Sequence, residues 1–351
     1  MKIHICAPDI HPNDAVGNHC FGIARMCARI GVETYLYAQN LPDFYLGVRE
    51  IGELKSNISP DDLLFVSYSI YDPYLDSLLD FSGRKICYFH GVTDPDLLLC
   101  NEPETAVLCE KAIEQLPKIG FFDHIIVNSL HTAKTLKPYI FLEPTVIPPI
   151  FRDMPVFSRS PITVDTPKRK NLLVIGRVAP HKRVEDAILL LAGIRETEYK
   201  YTMTVVGHMP NPKYSKFLFN YARDLGVIES VFFTGRVTSE DLFDLYLSAR
   251  AYLSMSQHEG FCVPVLEAMH FGLPVFVHEG TAAQETAGEA GIIVGHCREP
   301  ASFHTITSTL DSLAQISRQI AKGMQRETVL LEATSDDVWR QVFEFKRGTN
   351  D

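Results

Sequence analysis

The chain has 351 residues, which at roughly 150 residues per domain suggests two domains. Apolar residues make up 46% and charged residues 22%, a globular balance, and no run of 18 or more apolar residues offers a helical membrane span. The formal net charge of −10 argues against non-specific nucleic-acid binding, and eight cysteines without one C-x-x-C pair argue against a zinc site and read as reduced, buried thiols.

The opening Met1–Ala7 is too short and too quickly interrupted for a signal peptide and reads as a strand. In chain order the first half offers strands at Lys2–Ala7, Glu33–Tyr37, Leu63–Ser67, Lys85–Phe89, His124–Asn128 and Thr145–Ile147. Helical patterns at Cys20–Ile30, Pro73–Leu79 and Glu104–Gln115 lie between them. Around 148–170 the alternation fails, and Pro148, Pro149, Pro155, Pro161 and Pro167 give a linker composition. It then restarts, with strands at Leu172–Ile175, Thr202–Val206, Val231–Thr234, Ala251–Ser254, Val275–Val277 and Gly291–Val294. The accompanying helices are Val184–Arg195, Tyr214–Leu225, Glu240–Ala249 and Val265–Phe271, and Ser335–Arg347 reads as a final amphipathic helix. Strands alternating with helices imply parallel, doubly wound sheets. Residues 1–150 carry 11 Lys+Arg against 19 Asp+Glu, and residues 151–351 carry 22 against 24, so the second half is better suited to hold a polyanion.

In open parallel sheets, ligands sit beyond the carboxyl ends of strands. Glu259-Gly260-Phe261-Cys262-Val263-Pro264-Val265-Leu266-Glu267 follows the strand Ala251–Ser254. Pro264 suits the start of a helix, so the amides of Phe261, Cys262 and Val263 can form an anion site. Glu267, one turn in, can accept from ribose hydroxyls, and Glu259 can reach a sugar hydroxyl. The same residues also fit a plain capped helix with two surface glutamates. Gly176-Arg177-Val178-Ala179-Pro180-His181-Lys182 follows the strand Leu172–Ile175, where Arg177 and Lys182 can clamp a diphosphate, Arg as a planar fork and Lys as a point charge. A solvated basic turn is the other reading. Gly235-Arg236-Val237-Thr238 can present backbone groups to a nucleobase edge.

Gly176–Lys182, Gly235–Leu242, the paired glutamates, Gly272-Leu273-Pro274-Val275 and Gln284-Glu285…Ala290-Gly291 together resemble glycosyltransferase family 4, over about 171–295 most densely. That resemblance implies a GT-B fold, two Rossmann-like α/β domains facing across a cleft, and a retaining sugar transfer. It divides the chain into an acceptor-binding domain 1–150, a linker 151–170, a donor-binding domain 171–334 and a C-terminal helix 335–351 that packs back on the first domain. It implies that Gly17, in Asp14-Ala15-Val16-Gly17-Asn18-His19, brings its N–H to the donor phosphate, with Asn18 beside it. Val16 stands where the family often has a second glycine, and an ordinary turn fits the run equally. The resemblance also implies that His90 contacts the donor sugar and that Asn128-Ser129 is a cleft-facing turn.

Asp94-Pro95-Asp96 fits a metal-diphosphate motif, but a proline after an Asp N-cap explains it more simply. No metal is then needed, because Arg177 and Lys182 neutralise the diphosphate. The expected catalytic set is His90, Arg177, Lys182 and Glu259. Gly17, Asn18, Ser129, Gly176, Arg236, Val237, Phe261, Cys262, Val263 and Glu267 are expected to hold the donor. The segments His90–Asp94 and Pro117–Gly120 resemble bacterial polysaccharide and O-antigen transferases, so the expected donor is GDP-mannose or a UDP-sugar. The expected acceptor is a glycan or lipid-linked saccharide, in a cytoplasmic protein with at most weak peripheral membrane association and no nucleic-acid partner. A nucleotide-sugar epimerase or isomerase on the same scaffold is one alternative, and a non-catalytic donor-binding protein is another. A dinucleotide-dependent dehydrogenase fits less well, since no G-x-G-x-x-G follows the first strand.

Overall fold

The computed structural model describes residues 1–12, 14–41, 47–158, 170–297 and 299–344. They divide into two compact units, the first built from 1–94, 107–154 and 330 onward, the second from 95–106 and 155–329. Most of the expected linker, including Pro161 and Pro167, lies outside the described residues, as do 345–351 of the expected final helix.

The first unit is built on seven strands: β1 (Ile3–Asp9), β2 (Thr34–Asn40), β3 (Val48–Glu50), β4 (Leu63–Tyr68), β5 (Arg84–Phe89), β6 (His124–Val127) and β7 (Thr145–Val146). They pair in parallel in the order β3-β2-β1-β4-β5-β6-β7. Successive side chains on a strand point to opposite faces, so a sheet covered on both sides needs apolar residues at every position. The strands read that way at most positions, with His4 of β1 and Ser67 of β4 as buried polar exceptions. Ile3, Ile5, Phe65, Ile86 and Tyr88 fill one core, and Cys6, Leu64, Val66, Cys87 and Phe89 fill the other. The helices are α1 (Ala15–Arg29), α2 (Leu54–Asn57), α3 (Leu75–Leu79), α4 (Pro103–Ile119) and α5 (Leu130–Leu136). Helix α1 starts five residues before the apolar pattern suggests, because the Asp14 carboxylate accepts from the Gly17 N–H at 3.1 Å and caps it.

The second unit has six parallel strands, β8 (Asn171–Ile175), β9 (Thr202–Val206), β10 (Val231–Gly235), β11 (Ala251–Ser254), β12 (Val275–His278) and β13 (Gly291–Val294), in the order β10-β9-β8-β11-β12-β13. Its helices are α6 (Val184–Thr197), α7 (Pro212–Asp224), α8 (Ser239–Ser248), α9 (Val263–His270), α10 (Ala282–Ala287), α11 (Pro300–Asp311) and α12 (Leu313–Ala333). One core joins Leu172, Val174, Met203 and Val205 to Ile188 and Leu191 of α6 and Leu218 of α7. Elsewhere in this unit Tyr246 of α8 stacks on Phe271 at 5.2 Å, just past the end of α9.

The chain re-enters the first unit at Leu330, near the end of α12, and continues there as α13 (Asp336–Glu344). Trp339, fully buried, lies 5.8 Å from the His19 ring, 6.1 Å from Phe65 and 6.1 Å from Tyr88. Arg29 of α1 donates to Asp336 and to Asp153, fixing the start of α13. All eight cysteines are free thiols; Cys100 is exposed and the other seven are buried. Because Trp339 fills a closed aromatic core, Trp339→Ala is expected to cost about 3–5 kcal/mol in urea unfolding. A loss under about 1 kcal/mol would mean that α13 does not anchor the first unit.

Candidate active site

In each sheet the strand order reverses once, between β1 and β4 in the first and between β8 and β11 in the second. Loops leaving the strands on either side of such a switch diverge, which makes the carboxyl ends there the natural ligand position. Arg177, Lys182 and Glu259 all lie in the loops that follow β8 and β11.

The β8 loop runs from Gly176 into a 3-10 turn, Pro180–Lys182, and then Arg183 in the left-handed region at φ 51. Arg183 pairs with Glu185 and Asp186, so its charge serves the start of α6. The Gln257 N–H donates to the His181 carbonyl at 2.8 Å and joins the β11 loop to the β8 loop. Across that joint the Lys182 ammonium donates to Glu259 at 2.8 Å, with only 22% and 11% of the two side chains exposed. Burial disfavours both charges, but each partner outweighs it for the other. The Lys182 pKa is held above its ordinary value and that of Glu259 below, so the pair is ionised near neutrality. Removing either member would strand a buried charge, at a cost of about 3–5 kcal/mol. Arg177 donates to the carboxylate of Glu102.

Helix α9 begins at Val263, with Pro264 in its first turn. Cys262, its N-cap, is held at φ 72, one of two non-glycine residues with positive φ among those described. That conformation costs about 1–2 kcal/mol for a side-chain-bearing residue. It lies where the chain turns the Phe261, Cys262 and Val263 segment onto the open amide end of the helix. Burial first, then the Glu259 charge, pushes the Cys262 thiol well above the thiolate range, so it packs as a neutral group. Glu267, one turn in, is 5% exposed and accepts from the Tyr246 hydroxyl at 2.6 Å. Burial drives its pKa up to about 7, and the Tyr246 hydrogen bond and His270 only partly offset that. Helix α12 braces this element. His270 and Glu327 bond at 2.7 Å, and Arg326 holds the carbonyls of Thr286 and Glu285 at 3.0 and 2.8 Å.

The turn after β10 is tied to the same strand ends. The Gly207 N–H donates to the Gly235 carbonyl, and the Gly176 N–H to the Val206 carbonyl, each at 2.9 Å. A Cβ on Gly207 would lie 1.9 Å from the Gly176 oxygen, so only glycine fits. Sequence reasoning passed over Gly207, although a glycine directly after the strand Thr202–Val206 was a usable signal. Arg236 is exposed and Val237 half-buried on this turn.

In the first unit, His90 follows β5. Its Nε2 shares a 2.8 Å hydrogen bond with Ser67 Oγ at the end of β4, and its carbonyl accepts from Asn128 at 3.0 Å. Burial lowers its pKa to about 3, so the imidazole stays neutral. His19 lies edge-on to it, 5.2 Å between ring centroids. Gly17 and Asn18 lie in the first turn of α1, where the Gly17 N–H is engaged by Asp14. A Cβ on Gly17 would meet the His11 oxygen at 2.0 Å, so close packing alone requires this glycine. Ser129 is buried as the N-cap of α5, accepting from the Thr132 N–H at 3.0 Å. Pro95 opens a 3-10 turn, Pro95–Leu97, between Asp94 and Asp96.

Residues 160–320 match the model of a known family, glycosyl transferases group 1. That stretch belongs to the glycosyl transferases group 1 family. The group 1 region contains the paired glutamates, both expected cations and the β10 turn. The chain is similar to O-antigen chain mannosyltransferase B of Escherichia coli, 27% identical over 174 residues, 48% of this chain and 38% of that protein. It thus spans well under half of that relative's length. Among solved structures it is similar to sucrose-phosphate synthase from Thermosynechococcus elongatus, with TM-score 0.75, 16% identity, and 98% and 100% of the two chains covered. It is also similar to Anabaena Alr3699/HepE in complex with UDP and glucose, with TM-score 0.69, 15% identity and 98% of each chain covered. At these identities the structural likeness shows the fold, which is GT-B.

Glu267 makes the second unit's stability depend on pH. Its unfolded carboxyl ionises near its ordinary value of 4.5, whereas the folded one keeps its proton to about 7. Stability therefore falls as pH rises through that window. Glu267→Gln removes the loss, and in urea unfolding it should gain on the parent by about 1–3 kcal/mol between pH 5 and pH 8. An unchanged difference between the two pH values would contradict a buried acid at this position.

Proposed function

We propose that this protein is a retaining glycosyltransferase that moves a sugar from a nucleotide-diphosphate sugar to a glycan or lipid-linked saccharide. The observation that carries the proposal is the buried Lys182–Glu259 pair at the switch point of the second sheet, with Arg177 on the same loop as Lys182 and α9 following the loop that bears Glu259. In the reaction the bond from the anomeric carbon to the diphosphate oxygen breaks and a bond to the acceptor oxygen forms on the same face. The acceptor proton passes to the departing phosphate. Negative charge grows on the diphosphate as this happens, and fixed positive groups aimed at developing charge give some of the largest catalytic effects. Arg177, Lys182 and the first amides of α9 supply that field, which makes a metal ion unnecessary. Glu259, held by Lys182, orients the sugar, and Glu267 accepts from the ribose hydroxyls. Gly176, Arg236 and Val237 border the nucleotide.

The similarity to an O-antigen mannosyltransferase supports GDP-mannose as donor, and the similarity to a structure holding UDP and glucose supports a UDP-sugar. Among the described residues no helix is long and apolar enough to cross a membrane. The proposed setting is the cytoplasm, with at most weak peripheral contact at the membrane's inner face.

The test is transfer from GDP-mannose and from UDP-glucose to a saccharide acceptor in EDTA, with Arg177→Ala alongside. The parent should transfer sugar with the anomeric configuration kept, and Arg177→Ala should lower kcat by roughly a hundredfold or more. An unchanged rate in the variant would remove the diphosphate clamp. Conversion of donor with no acceptor present would point to an epimerase instead.

A further inference from the structure

Residues 95–106 lie in sequence between β5 and most of α4, yet they belong to the second unit. Two adjacent residues fasten them. The Asn101 carbonyl accepts from the side chain of Asn211, which caps α7. The Glu102 carboxylate accepts from Arg177 Nη2. Only 10% of the Glu102 side chain is exposed, against 43% of Arg177. The other Glu102 oxygen, Oε1, is buried with no hydrogen-bond partner among the described residues. The carboxylate thus takes a guanidinium N–H while being itself half satisfied, and a buried oxygen in that condition is unfavourable. A guanidinium presents five N–H donors in a fork suited to phosphate as well as to carboxylate. A diphosphate brings more charge and more acceptor oxygens to that fork than one carboxylate does.

We propose that Glu102 is a positioning residue that occupies Arg177 in place of the donor's diphosphate, and so sets how tightly the nucleotide is held and how readily it leaves. This rests on the reading of Arg177 given above. On binding, the diphosphate takes the guanidinium and Glu102 is displaced. After transfer, Glu102 re-forms the ion pair and favours release of the nucleoside diphosphate. A carboxylate placed only to fold the segment would have no such linkage to ligand binding.

The linkage is measured by calorimetric titration of GDP and of UDP in EDTA into the parent, Glu102→Gln, Arg177→Ala and the double variant. Glutamine keeps the shape and an acceptor oxygen but drops the charge. Glu102→Gln should bind the preferred nucleotide about twofold to fivefold more tightly, the range expected when one partly exposed ion pair no longer competes. Arg177→Ala should bind it more weakly, and the double variant should match Arg177→Ala, because the effect of Glu102 runs through the arginine. Equal or weaker binding by Glu102→Gln overturns the proposal, as does a gain that persists without Arg177. If Arg177→Ala binds as the parent does, the diphosphate clamp fails as well, so the two failures are told apart.

Discussion

The buried ion pair between Lys182 and Glu259 depends on the order of strands in the second sheet. Because β8 lies between β9 and β11, the loop that follows β8 and the loop that follows β11 start side by side and then part. Two charged side chains 77 positions apart in sequence meet there at 2.8 Å. Charges in such a place are ionised only because each compensates the other's lost hydration. In the proposed reaction the pair offers a fixed ammonium to the pyrophosphate and a fixed carboxylate to the sugar. An isolated lysine at that depth would tend to lose its proton and with it the field that leaving-group stabilisation needs.

Other parts of the unit keep that geometry from relaxing. Gly207 lets the β8 and β9 ends close to contact distance, and Gly323 of α12 does the same against Met269 of α9, where a Cβ would lie 3.3 Å from the methionine side chain. Tyr246 fixes the Glu267 carboxyl, while α12 grips the last residue of α9 through Glu327 and the last turn of α10 through Arg326. The site is thus built on braced helix starts and strand ends, and preorganised electrostatics requires such rigidity. His90 follows the same logic in the first unit, where Ser67 and Asn128 hold its ring and carbonyl.

Much of this was legible in the sequence, for a physical reason. A parallel sheet covered on both faces demands continuous apolar runs, so β4, β5, β8, β9, β11 and β13 stood out within a residue or two. The exceptions were elements that local pattern specifies poorly. Strand β3 has three residues, and α12 has a diluted apolar stripe broken by Gly323. The start of α1 was hidden because Gly17 and Asn18 have low helix propensity, and the Asp14 cap overrides it. Arg177, Lys182, Glu259 and Glu267 were legible as residue types after strands. What they pair with was not, since Glu102 is 75 positions from Arg177 and lies in a half of the chain that gives no sign of belonging to the second unit. The buried state of Glu267 was hidden for the same reason, because Tyr246 and the packing around it come from another helix.

The central claim is that one pyrophosphate is held by Arg177, Lys182 and the first amides of α9. A crystal structure of the protein soaked with the nucleoside diphosphate it binds best tests this directly. The account predicts phosphate oxygens within hydrogen-bond distance of the Arg177 guanidinium, the Lys182 ammonium and the backbone at Cys262–Val263. A diphosphate found elsewhere, with Lys182 still bound only to Glu259, would contradict it.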